Sequence, residues 1–275
     1  MELDLLKSFD QIYIHEDSIE SSVAKRVRSM FPENIVQVVK EKPLANLNGK
    51  MSANDFSKSK RLLYLAEYKG EFFKRCPGAK PGLTCCNYFV LNLGIQCNMN
   101  CSYCYLQSYI NSPLLTIYTN IDRALSELKA LALQYPNQHY RVGTGETTDS
   151  LSLDELTLYS RKLIAFFQEF PKWKLEFKTK SSKVDQFLDV PHAGNVICSW
   201  SVNPQNVIDS EEHLTASLDQ RLSAAKKCLD KGFTLAFHFD PMIWHPEWKQ
   251  SYAQLVEEIT ARFSPRDITY ITVGP

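Results

Sequence analysis

Neither sign of charge dominates this chain: 31 Lys and Arg stand against 31 Asp and Glu in 275 residues. A strongly basic, nucleic-acid-binding composition is therefore absent, although a neutral total leaves room for a local patch. Also missing is any apolar run long enough to cross a bilayer, so no membrane partner is expected. The first residues, MELDLLKSFDQIYIHEDS, lack the basic flank and long apolar core of a secretory leader. There are no internal repeats, and no low-complexity tract outside the polar stretch KEKPLANLNGKMSANDFSKSKR (40–61). With so few apolar residues, that stretch is expected to be a linker. Eight cysteines without a leader argue for a reducing, cytoplasmic setting and for thiols used as ligands or reagents.

What the chain does have is enough apolar residue (44%) for a full core, arranged in a regular alternation. QIYIHE, DSIESSVAKRVRSMF and NIVQVV read as a small strand-helix-strand unit near the N-terminus. From residue 86 a longer series begins. CNYFVLNLGI, HYRVGTG, KLEFKTK, NVICSWSVN, FTLAFHFDP and DITYITVG read as six strands. The intervening segments include a helix-like stretch after the cysteines, NIDRALSELKALALQY, SLDELTLYSRKLIAFFQEF, LDQRLSAAKKCLDKG and EWKQSYAQLVEEITARF. Such alternation demands a parallel sheet, either open and doubly wound or an incomplete barrel, with chemistry at the carboxyl ends of the strands. Polar residues cluster at those ends in five successive units: the cysteines, GTGETTD, KTKSS, Ser201 with Asn203, and His238 with Asp240. Five placements in a row point to one shared site.

Cys97, Cys101 and Cys104 follow the first of these strands in the spacing CxxxCxxC. Their polar neighbours Asn98, Asn100 and Ser102 argue against a purely buried role, and a structural zinc site would normally supply a fourth ligand. A four-iron cluster is normally held by four thiolates; three leave one iron with open positions for a small molecule. That arrangement resembles the radical S-adenosylmethionine superfamily. The segment CSYCYLQ, with Tyr103 and Tyr105 flanking the last cysteine, further resembles spore photoproduct lyases. The similarity extends through FKTK, SWSVN, LDQRLSAAKK and FDPMIWHPEWKQSYAQL.

The resemblance implies an α/β architecture, a partial (β/α)6 TIM-like barrel over residues 81–275, preceded by an N-terminal α/β segment with a polar linker over 1–80. It implies a [4Fe–4S] cluster on Cys97, Cys101 and Cys104, with S-adenosylmethionine as the second cofactor. UV-damaged DNA and an electron donor such as flavodoxin or ferredoxin are the implied partners. In that family a deoxyadenosyl radical opens a thymine-thymine adduct, a protein thiol returns a hydrogen atom, and the flanking tyrosines help regenerate the cofactor. Tyr103 and Tyr105 are thus the catalytic candidates. Glu146, Thr148, Lys180, Ser201 and Asp240 are the candidates for the cofactor.

Two departures stand out. Where the family carries its thiol donor, in a Cys-Thr-Ser-Asp-like turn, this chain reads Glu146-Thr147-Thr148-Asp149. A carboxylate cannot deliver a hydrogen atom as a thiol does; GTGE instead resembles the superfamily's Gly-Gly-Glu turn, which receives the cofactor's ammonium. The chain also stops at the sixth strand, short of the family's C-terminal DNA-holding region. The remaining cysteines divide between Cys76, Cys85 and Cys86, replacement donors or small buried residues, and Cys198 and Cys228, expected in the core. Lys58, Lys60, Arg61, Lys69, Lys74 and Arg75 form a basic cluster that reads either as a phosphate track or as a solvated face.

Overall fold

The structure, a computed structural model, describes residues 2, 4–43, 52–76, 87–110 and 114–274. It opens with β1 (Gln11–His15), α1 (Ser22–Met30) and β2 (Val36–Val39). Buried Ile12 and Ile14 alternate with partly exposed neighbours along β1, the period-two pattern of a strand. Ser21 caps α1 by accepting the Ala24 N–H, and the helix buries Val23, Ala24 and Val27 on one face. Then come α2 (Ala53–Ser59), β3 (Leu62–Ala66) and β4 (Phe73–Arg75).

Part of the expected linker is thus a helix. Ser52 caps α2, accepting the Asp55 N–H at 3.1 Å, and Phe56 is buried. One cap and one aromatic anchor suffice for seven residues, a signal that the average composition of 40–61 dilutes. The single strand expected over 86–95 is two: β5 (Tyr88–Leu91) and β6 (Gly94–Ile95), which join different sheets. β7 (Asn100–Cys101) belongs to the cysteine loop, α3 (Leu106–Tyr109) is a short helix right after the cysteines, and β8 (Leu115–Tyr118) is a further strand before α4. The first sheet has the order β2-β1-β3-β8-β6. It takes strands from beyond residue 80, so a division there is one of chain order and not of sheet membership. Gly94 permits this stitch, because a Cβ there would stand 2.6 Å from the Thr116 carbonyl oxygen of β8.

The larger unit continues through α4 (Ile121–Gln134), β9 (Arg141–Gly143), α5 (Asp154–Thr157), α6 (Tyr159–Gln168), β10 (Lys174–Thr179) and β11 (Val196–Ser201). It ends with α7 (Gln205–Glu211), β12 (Glu212–His213), α8 (Leu218–Asp230), β13 (Thr234–Phe239), α9 (Trp248–Arg262) and β14 (Ile268–Val273). The one helix expected over 152–170 breaks at Leu158, whose φ is 50°. Asp154 begins the first piece, which Leu158 ends, and its carboxylate caps the second, accepting the Ser160 N–H at 3.0 Å. The second sheet runs β14-β13-β11-β10-β9-β5-β4. Its six expected strands are all parallel and lie in chain order, with β4 antiparallel on one edge. Sequential order has no switch point, which separates the barrel from the doubly wound alternative.

Side chains inside the sheet show how far it curls. In a flat sheet β10 and β14 would lie about 14 Å apart, three steps of roughly 4.8 Å. Yet Tyr270 of β14 donates its hydroxyl to Glu176 of β10. Arg141 of β9 lies over the Tyr270 ring at 4.5 Å and over the Tyr88 ring of β5 at 4.9 Å. Glu176 also accepts from Ser199 at 3.0 Å, meets His238 Nε2 at 3.1 Å and pairs with Arg141 at 3.4 Å. Burial works against its charge, but His238, Tyr270 and Arg141 outweigh burial and hold the carboxyl below its usual range. The result is a partial barrel with β14 and β4 as its unpaired margins.

Removing one partner from a buried ionic network costs about 3–5 kcal/mol. Glu176→Ala is expected to lose about that much, read as a lower urea midpoint at unchanged m. The native carboxyl titrates below its unfolded value of 4.5, so its contribution is present above that pH and is lost as pH falls. The wild type should therefore lose stability more steeply than the variant on acidification below about pH 4.5.

Candidate functional site

A cavity of about 420 Å³ opens at the carboxyl ends of the barrel strands. The catalytic, cofactor and cluster candidates all line it, whereas the strand-end residues Asn203 and His238 are buried behind it. The loop after β6 brings Cys97, Cys101, Tyr103, Cys104 and Tyr105; the turn after β9 brings Glu146 and Thr148; Lys180, Ser201 and Asp240 stand at the ends of β10, β11 and β13. The GTGE turn owes its glycines partly to packing. A Cβ on Gly143 would fall 1.7 Å from the Tyr88 hydroxyl oxygen, and one on Gly145 would crowd the Lys178 carbonyl at 3.0 Å.

The cysteine loop is gripped from two sides. On one, β12 pairs antiparallel with β7, setting Glu212 opposite Cys101, and the Ser102 N–H donates to the Glu211 carbonyl at 2.9 Å. On the other, α2 docks through Ser57, which donates to the Asn100 side chain at 3.1 Å, and through Lys60, whose ammonium donates to the Met99 carbonyl. Gln96 enters the loop at φ 77°, a conformation rare outside glycine, and its amide donates to Ser59 at 3.4 Å.

Cys97, Cys101 and Cys104 form no disulfide. Among the described residues, no three Cys, His, Asp or Glu side chains converge as ligands of a single ion do. A four-iron cluster asks for something else, one thiolate on each of several irons. Three thiols on one cavity wall, with the Met99 N–H donating to Cys97 Sγ at 3.4 Å, fit that demand. Burial pushes the Cys97 thiol up to about 12, with Asp149 adding to the rise and Lys60 opposing it. Cys101 is pushed up to about 11 by burial, opposed by Lys180.

Behind the loop lies a group the sequence did not announce. Tyr103 donates its hydroxyl to Glu212 at 2.5 Å, and the Asn203 amide donates to the same oxygen at 2.8 Å. The other oxygen takes Arg221 at 2.5 Å, with both charged groups fully buried. Burial opposes the Glu212 charge, but Arg221, Lys180, Asn203 and Tyr103 together hold the carboxyl below its usual range. Tyr103 is pushed far above the ordinary phenol range by burial and by Glu212. The Lys180 ammonium sits 5.6 Å from the Tyr103 ring centre. Tyr105 is exposed, and its hydroxyl donates to the backbone carbonyl of Glu146 at 2.6 Å.

Two further lining residues, Asp149 of the GTGETTD turn and Lys178 of FKTK, are not among the candidates. Asp149 accepts the N–H groups of Leu151, Ser152 and Lys180 and the Thr179 hydroxyl, which locks the turn after β9 to the end of β10. Lys178 pairs with Asp240 at 2.9 Å. Burial resists the Asp240 charge, but His238, Lys178 and Thr272 drive its carboxyl well below the usual range. His238 is itself buried, with Nδ1 2.7 Å from Thr272. The other thiols lie elsewhere. Cys198 and Cys228 are fully buried in the core. The Cys76 N–H donates to the Tyr88 carbonyl at the amino end of β5, and Cys76 does not line the cavity. Cys85 and Cys86 fall outside the described residues. Of the basic cluster, Lys58, Arg61, Lys69, Lys74 and Arg75 are exposed, as a solvated face requires, and Lys60 alone of the six is buried.

Comparison with known proteins gives a consistent result. A family model described as spore photoproduct lyase matches residues 8–273. The chain is 31% identical over 185 residues to the spore photoproduct lyase of Geobacillus sp. (strain Y412MC61), covering 67% of this chain and 54% of that enzyme. To the spore photoproduct lyase of Bacillus subtilis (strain 168) it is 26% identical over 263 residues, covering 94% of this chain and 75% of that one. The matched region thus spans about half of one relative and three quarters of the other. A solved mutant spore photoproduct lyase with bound AdoMet and dinucleoside spore photoproduct superposes with a TM-score of 0.84 at 24% identity, over 98% of this chain and 79% of that one. That likeness establishes the partial-barrel fold.

The support behind Tyr103 can be graded by mutation. Glu212→Ala leaves the Arg221 guanidinium buried without its counter-charge and should cost about 3–5 kcal/mol. Tyr103→Phe removes one hydrogen bond to a charged group and should cost about 1.5–3 kcal/mol. Urea midpoints should rank wild type above Tyr103→Phe above Glu212→Ala.

Proposed function

The chain belongs to the spore photoproduct lyase family, and from that premise we propose that it is a radical S-adenosylmethionine enzyme acting on a thymine photoproduct of DNA. The observation that carries this reading is the meeting of three thiols with the strand-end polar residues on one cavity. Cys97, Cys101 and Cys104 would hold a [4Fe–4S] cluster, leaving one iron open to the cofactor's amino and carboxylate groups. Bound there, cluster and cofactor would supply the radical chemistry for hydrogen abstraction.

The chain's own residues orient and shield. Lys180 offers a cation to the cofactor's carboxylate, while Glu146, half-buried in its turn, offers an anion to the ammonium. Thr148 and Ser201 add hydroxyls to the wall. Asp240, already paired with Lys178, presents a neutralised floor and not a free charge. Tyr103 is held by Glu212 beneath the cavity, and Tyr105 stands at its mouth beside residue 146. Damaged DNA is the partner, with a low-potential electron donor of flavodoxin or ferredoxin type in the cytoplasm. One observation favours a second reading, the same radical chemistry on a different substrate. Glu146 occupies the place of the thiol donor, and among the described residues no fourth thiol lines the cavity.

Anaerobic reconstitution tests both readings. With dithionite and S-adenosylmethionine the protein should form 5′-deoxyadenosine, and Cys97→Ala, Cys101→Ala or Cys104→Ala should each abolish brown absorbance and product together. Thymine release from dinucleoside spore photoproduct supports repair; deoxyadenosine without thymine release supports the second reading. A single cysteine variant with full cluster content would sink the ligand assignment. Glu146→Gln removes a charge-assisted hydrogen bond of about 1.5–3 kcal/mol and should weaken S-adenosylmethionine binding by about one to two decades, with iron content unchanged.

A further inference from the structure

Lys60 is buried at 5% exposure, at the end of a helix whose residues the composition assigns to a solvated stretch. Its ammonium donates to the Met99 carbonyl in the middle of the cysteine loop and lies 4.9 Å from the Phe56 ring centre. Among the described residues no carboxylate pairs with it. A buried charge answered only by a carbonyl and a ring face is costly, and buried charges are normally matched by an opposite charge. Arg221, on the far side of the same loop, has such a match in Glu212.

The loop itself supplies the missing anion once it carries its cluster. A [4Fe–4S] core of two positive charges with three thiolates has a net negative charge, and reduction adds another. We propose that Lys60 is the buried counter-cation of the cluster, a positioning residue that raises its reduction potential. The inference rests on the cluster reading above. Fixed positive charge and N–H···S bonds both favour the more negative, reduced state, and both are present: Met99 receives the ammonium on its carbonyl and gives its own N–H to Cys97 Sγ. Ser57 to Asn100 and Gln96 to Ser59 keep α2, and with it the ammonium, in register with the loop.

The test is an EPR-monitored redox titration of the reconstituted full chain, without S-adenosylmethionine or substrate. Lys60→Gln removes the charge but can still donate to the Met99 carbonyl; Lys60→Met removes both; Lys60→Arg keeps the charge. The neutral variants should hold wild-type iron yet be roughly tenfold harder to reduce at a given ambient potential, a midpoint about 59 mV lower for a one-electron couple. Lys60→Arg should stay near the wild type. An unchanged midpoint in iron-replete Lys60→Gln overturns the proposal. Loss of the cluster from both neutral variants also overturns it, in favour of a purely structural clamp. Failure of the wild type to take up any cluster is a different result, and it sinks the functional reading instead.

Discussion

One buried carboxylate ties the barrel together. Glu176 on β10 binds side chains from β9, β11, β13 and β14, so four other strands converge on a single anion. A parallel sheet needs no such centre for its ladder, and apolar fillings of equal volume are often as stable as buried ionic networks. What the carboxylate adds is direction. It is satisfied only when the sheet has curled enough to bring β14 back within reach of β10, and that curl gathers the strand ends around one cavity. The network also has an outlet. From Glu176 it passes through His238 to Thr272, then to Asp240 and Lys178 on the cavity floor. Interior and site floor form one continuous polar path, so the packing that closes the barrel also sets the charge presented to a ligand.

The strands of this barrel were legible because each follows a strong local rule. VICSW is apolar but for one serine, as suits a strand buried on both faces, and every residue of β11 is indeed buried. The cysteine spacing and the strand-end residues were legible for a similar reason, since parallel order forces their loops onto one rim. What escaped were features decided by tertiary contact. α2 owes its place to one buried phenylalanine and to the loop it docks on, neither visible in an average over 40–61. The break between β5 and β6 depends on which sheet accepts Gly94. The helix break at Leu158 depends on the Asp154 cap. Glu212 lies in a stretch that carries no motif, Arg221 on a helix read only as a helix, and only the fold shows that they meet beneath Tyr103.

Electrostatics around the cysteine loop follow from the same division. Two cations are buried against it from elements far apart in the chain. Arg221 is neutralised by Glu212, whose remaining capacity is taken by Tyr103 and Asn203, so that side presents hydrogen-bond geometry with little net field. Lys60 meets dipoles alone among the described residues, so its side presents a field. The thiols feel the difference. Burial disfavours a thiolate at both Cys97 and Cys101, and for each a lysine opposes that penalty, Lys60 for one and Lys180 for the other. A metal site must lose protons to form, and a pocket that buries its ligands makes that loss harder. In the proposed cluster site, burial would shield the cluster from solvent and the cations would offset its electrostatic cost. The two demands meet here because the loop lies between the barrel rim and a short helix of the N-terminal layer.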